Sequence, residues 1–76
     1  MNNDLKDLSG MVSIKELATM YYPKSSVLTA SRNFRREIRG YPSLIAQLQQ
    51  AGFKERQRYL TPRQTELILQ YLGDPL

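Results

Sequence analysis

The chain has 76 residues with no cysteine, no histidine and a net charge of +4, which bounds it to one small domain near the lower limit for an independent core. Without Cys or His there are no disulfides, no thiolate or imidazole metal sites, and few of the nucleophile–base pairs that catalysis uses. No apolar run approaches the roughly 20 residues that span a bilayer, and the start, Met1-Asn2-Asn3-Asp4, lacks the basic-then-apolar order of a signal peptide. No membrane, metal or cofactor is therefore expected, and the expected location is the cytoplasm.

Residues 1–9 carry only Leu5 and Leu8 as apolar anchors besides Met1 and read as a flexible tail, leaving 10–76 as a single domain. Ser13 followed by Glu16 forms a capping-box pattern, and Ile14, Leu17, Ala18 and Tyr21 make a short apolar stripe that Pro23 stops near Tyr22. Ser26 caps a second helix over 27–39, whose Ala30, Phe34 and Ile38 recur every four residues as a buried ridge. Gly40 can end it. Pro42 opens a third helix with Leu44, Ile45 and Leu48 inward, and Gly52 ends that one, with Phe53 placed for the apolar contact that follows a glycine cap.

Residues 53–60 are charged in the middle and apolar at both ends, which reads as a small hairpin or a lone strand; Met11-Val12 can pair with Tyr59-Leu60. The best-marked element is the last. Thr61 caps a helix with Pro62 in its first position, and Gln64 can reach back to the cap N–H. Leu67, Ile68, Tyr71 and Leu72 share one face, Gly73 can close the helix left-handed, and Pro75 forbids continuation. Tyr21, Tyr59 and Tyr71 read as core residues with boundary hydroxyls, while Tyr22 and Tyr41 flank prolines and close turns.

Charge is unevenly placed. Residues 24–63 hold nine basic side chains against Glu37 and Glu55, while the remainder of the chain is acidic on balance. The helix–turn–helix over 14–22 and 27–39 sets Arg32, Asn33, Arg35, Arg36 and Arg39 against the apolar ridge, as a helix entering a DNA major groove would. Arg can read guanine edges and Asn adenine edges, with Ser31 and Lys24 on phosphates. Lys54, Arg56 and Arg58, with Arg63 at a helix N-terminus, suit a wing along the phosphate backbone. A solvated face or a charged edge strand would use the same residues. Glu16, Glu37, Glu55 and Glu66 read as caps or helix ion pairs, and no glycine loop cradles phosphate, so no enzyme activity is expected.

Ile14-Lys15-Glu16-Leu17-Ala18 with Tyr21-Tyr22-Pro23, the Ala30/Phe34/Ile38 ridge, and Tyr59-Leu60-Thr61-Pro62-Arg63-Gln64 leading to Tyr71-Leu72-Gly73-Asp74-Pro75 carry a resemblance over residues 11–75. They resemble a family of small proteins of Bacteroides and related gut bacteria known only as a domain of unknown function. Relatives often end the last helix in Gly-Glu-Pro, where Asp74 stands here. More loosely, the first helix and the basic stretch before Thr61 resemble the winged helix-turn-helix of MerR-like regulators and phage excisionases, from which residues 41–52 depart by inserting a helix. That likeness implies duplex DNA binding through the second helix and the wing.

The expected fold is thus mainly α with a minor β hairpin, a small winged helix-turn-helix-like domain of about four helices. The expected function is a non-enzymatic DNA-binding module of a transcriptional or mobile-element regulator. The alternative is a protein-interaction adaptor, in which the arginines meet an acidic partner or Leu28, Leu69 and Leu76 form an apolar patch for a protein partner or a second copy.

Overall fold

A computed structural model describes residues 10–75; the tail expected over 1–9 and Leu76 of the expected apolar patch lie outside the described residues. The chain runs β1 (Val12–Ser13), α1 (Ile14–Tyr21), α2 (Val27–Arg39), α3 (Pro42–Gln50), β2 (Tyr59–Leu60) and α4 (Pro62–Leu72). β1 and β2 pair antiparallel, Val12 opposite Leu60 and Ser13 opposite Tyr59. The Ile14 N–H extends the tie by donating to the Arg58 carbonyl at 2.8 Å. The start of α1 is thereby fastened to the start of α4, as the sequence suggests, but one residue later than the expected Met11-Val12 pairing, with Ser13 in the strand and Met11 outside it. Of the two options for 53–60, the lone strand is adopted: residues 53–58 form turns and irregular chain.

Local chemistry sets the helix ends. Ser13, Ser26 and Thr61 each accept a backbone N–H three residues on, from Glu16, Thr29 and Gln64. In α4 the box is reciprocal, because the Gln64 side chain accepts the Thr61 N–H at 3.1 Å. α3 has Pro42 in its first turn and no side-chain cap. Its other end is a complete Schellman motif: Phe53 N–H donates to the Leu48 carbonyl at 2.8 Å and Gly52 N–H to that of Gln49 at 3.0 Å. Gly52 holds φ at +85°, a conformation L side chains rarely adopt.

Among the described residues, eleven buried apolar side chains from four helices and β2 form one core: Ile14, Leu17 and Ala18; Ala30, Phe34 and Ile38; Leu44 and Leu48; Leu60; Leu67 and Ile68. The ridge and stripes of the sequence account for all but Leu60. Tyr59 departs from its expected core place and is 46% exposed. Successive strand side chains face opposite ways, so placing Leu60 inside turns Tyr59 out. Tyr21 stacks on Phe34 with centroids 5.8 Å apart and donates its hydroxyl to the Gly73 carbonyl. Tyr71 meets Tyr41 edge-on and accepts from the Gln47 amide at 2.8 Å. Burial and then the Asp74 carboxylate raise the pKa of Tyr21 above its ordinary 10.0. Burial is also the main cause raising that of Tyr22, with Glu37 and Tyr41 adding to it and Arg36 opposing it.

Candidate nucleic-acid interface

The loop over 53–58 is charged and has no sheet ladder, yet side chains hold it firmly. From α2, Arg35 donates through Nη1 to the Glu55 carbonyl at 2.9 Å and through Nη2 to the Gln57 carbonyl at 3.5 Å. From within the loop, the Gln57 carboxamide accepts the Lys54 N–H at 2.8 Å and donates to the Tyr59 carbonyl and to Gln64 Oε1, each at 2.7 Å. Gln64, 1% exposed, donates in turn to the Ala51 carbonyl at 3.0 Å. Three polar contacts, with the Gln57 amide, the Thr61 N–H and the Ala51 carbonyl, therefore satisfy one buried glutamine side chain and join the end of α3, the loop and the start of α4, where an unmet amide would be costly.

This bracing sets Arg56 and Arg58 on an open cleft of ≈ 680 Å³. Its lining takes Ser13 and Lys15 from β1 and α1, Ser31 and Arg35 from α2, and Glu55, Arg56, Arg58 and Tyr59 from the loop and β2. Four cations thus face one carboxylate, and that carboxylate lies 4.0 Å from Arg39. Low-dielectric walls lined by one sign of charge concentrate the field on an incoming anion.

The expected contact residues divide. Arg32, Arg36 and Arg39 are exposed on α2, and Arg39 reaches toward the loop through Glu55. Arg35 belongs with them but has two of its N–H groups on loop carbonyls, which makes it a positioning residue. Asn33 is two residues from both Ser31 and Arg35, hence about 160° round the helix from each. It falls on the flank of Glu37, which shares a small hollow with Tyr21, Tyr22 and Leu72, away from the cleft. Ser31 lines the cleft, but its Oγ is enclosed and without a hydrogen-bond partner among the described residues. Lys24 is exposed in the turn between α1 and α2, and Lys54 is exposed on the loop outside the cleft lining. Arg63, at the start of α4, pairs with Glu66 at 3.1 Å on the surface.

A family model described as a domain of unknown function (DUF4248) matches residues 9–75. The chain belongs to that family. Among the described residues, the match takes in each helix and strand of this DUF4248 domain, and with them the braced loop and the cleft. No curated protein and no solved structure matches the chain. Among the described residues no helix is long and apolar enough to cross a membrane.

Three residues that shape this region escape a reading by composition. Lys15 looks like a helix-surface lysine until β1–β2 pairing brings the start of α1 beside Arg58. Gln57 looks like a loop polar residue, and only the fold supplies its four partners. Tyr59 was legible in principle, since Leu60 and Tyr59 cannot face the same side of one strand.

Proposed function

We propose that the DUF4248 domain is a non-enzymatic module that binds duplex DNA, presenting the outer face of α2 to the groove and the 53–58 loop to the backbone in the manner of a winged helix-turn-helix. The observation that carries this reading is the convergence of α2 and the loop on one side of the molecule. The Arg35 bonds to the loop carbonyls and the approach of Arg39 to Glu55 bring together two basic segments that lie some twenty residues apart in sequence. Arg32, Arg36 and Arg39 are exposed and long enough to reach guanine edges or phosphates. Lys54, Arg56 and Arg58 contact backbone phosphates, with Lys24 and Arg63 as outlying charges. Such a module serves a transcriptional or mobile-element regulator acting in the cytoplasm. Arg36→Ala is expected to weaken duplex binding about tenfold, the scale of one base contact, with an unchanged amide spectrum elsewhere. Undiminished binding by that variant would remove α2 from the interface.

A protein-interaction role is favoured by a different surface. Leu17, Met20, Leu69 and Pro75 line an open, mostly apolar groove of ≈ 450 Å³ beside α1 and α4, where Met20 is 45% exposed. Leu28, 69% exposed, does not line that groove; it lies one turn before Arg32 on α2. Leu69→Glu separates the two readings: it would abolish association through the groove and leave DNA binding intact.

A further inference from the structure

The cleft between β1, α2 and the 53–58 loop combines features that the outer face of α2 does not. It is recessed, and its ≈ 680 Å³ falls within the range of about 300–1,000 Å³ typical of small-ligand sites. Its lining is cationic through Lys15, Arg35, Arg56 and Arg58. It also contains a large aromatic side chain, Tyr59, held at 46% exposure by strand pairing that leaves Leu60 fully buried. Because Ser13 and Tyr59 are directly opposite on paired strands, their side chains project to the same side, and both line the cleft. Glu55 is the one acidic member, and Arg39 lies near enough to offset it.

A basic recess with an aromatic face suits a nucleotide whose base is not paired: the phosphate takes the cations and the base takes the ring. A base inside a duplex is stacked on its neighbours and cannot lie on a side chain in a recess. We propose that this cleft binds one unpaired nucleotide of a nucleic-acid strand, its phosphate between Lys15, Arg56 and Arg58 and its base against Tyr59. The proposal rests on the DNA-binding reading and narrows it. The preferred ligand is DNA in which duplex adjoins a single-stranded segment, with α2 on the duplex and the cleft on the first unpaired nucleotide. Arg35 contacts the loop rather than the ligand, holding Arg56 and Arg58 in place.

The test compares a blunt duplex, the same duplex with a short thymidine overhang, and free thymidine monophosphate, each titrated against the 76-residue chain. The overhang is expected to tighten binding about tenfold over the blunt duplex, within the range of one aromatic–base stack. Tyr59→Thr, which keeps a strand-forming residue, should erase that gain and leave the blunt-duplex affinity unchanged. Tyr59→Phe should retain it. Equal affinity for blunt and overhang DNA overturns the nucleotide site and leaves the duplex reading standing, whereas no binding to either ends both. An overhang gain that survives Tyr59→Thr overturns the role of the ring. Mononucleotide binding as tight as that of the overhang DNA would overturn the strand as the source of the ligand.

Discussion

Replacing Gln64 by leucine tests the polar hub that fixes the basic loop. The substitution preserves approximate volume but removes the acceptor for the Thr61 N–H at 3.1 Å and the Gln57 amide at 2.7 Å, and the donor to the Ala51 carbonyl at 3.0 Å. Each buried group left unmet costs about 1–3 kcal/mol, so the loss is about 3–9 kcal/mol. Leucine recovers about 1.5–3 kcal/mol through apolar burial, and Gln57, only half-buried, can turn to water. The net expectation is about 3 kcal/mol of destabilisation, a large part of the roughly 4–11 kcal/mol available to a chain of this length. Thermal unfolding followed by circular dichroism should show a midpoint lowered by about 10–25 °C. A double-mutant cycle with Gln57→Leu should show coupling of about 1 kcal/mol between the two sites. A midpoint within a few degrees of the parent, or additive effects, would refute the hub.

Three further outcomes follow from particular contacts. Gly52→Ala should cost about 1–2 kcal/mol in denaturant unfolding, because φ is +85° while no atom lies within 4 Å of the new methyl; an unchanged midpoint would show that the Schellman turn can re-form without glycine. Tyr21 has a folded pKa raised above 10.0 by burial and by Asp74, so folding favours its neutral form. Its contribution is present in full below the unfolded pKa and is lost as pH climbs through the folded one. Stability should thus fall in the alkaline range, less steeply in Tyr21→Phe, with Tyr22 supplying a remaining share; an identical alkaline slope in Tyr21→Phe would contradict the Tyr21 assignment. Arg35→Lys keeps the charge but not the fork that reaches the Glu55 and Gln57 carbonyls. Hydrogen exchange over residues 54–58 should quicken and DNA affinity fall; unchanged exchange would mean that the loop needs no brace from α2.

Most of the helical fold is legible because local signals agree with one another. Thr61, Pro62 and Gln64 fix the start of α4, and the spacing of Ala30, Phe34 and Ile38 fixes the buried side of α2. The pairing of the two segments is legible from the apolar Val12 and Leu60, but its register is not, since Ser13 rather than Met11 faces Tyr59; and aromatic character points Tyr59 inward, although strand alternation beside a buried Leu60 turns it out. The site was less legible for a geometric reason. Residue type groups Asn33 with all the arginines, whereas the helical period sets it about 60° from Arg36 but about 160° from Arg35, off the cleft side of α2. Lys15 and Arg58, more than forty residues apart, meet only through the β1–β2 pairing. Arg35 was readable as a cation but not as a clamp, because its partners are backbone carbonyls, which every residue has.

The central claim is that α2 and the braced loop form one phosphate-contacting surface. Its most direct test is titration with random-sequence duplex DNA at two salt concentrations, followed by amide shifts. If about four to six phosphates are neutralised, log K should fall against log salt with a slope of about −4 to −5. The shifts should cluster at residues 31–39 and 54–63. Shifts confined to the Met20–Leu69 groove, or none even at low salt, would contradict the account.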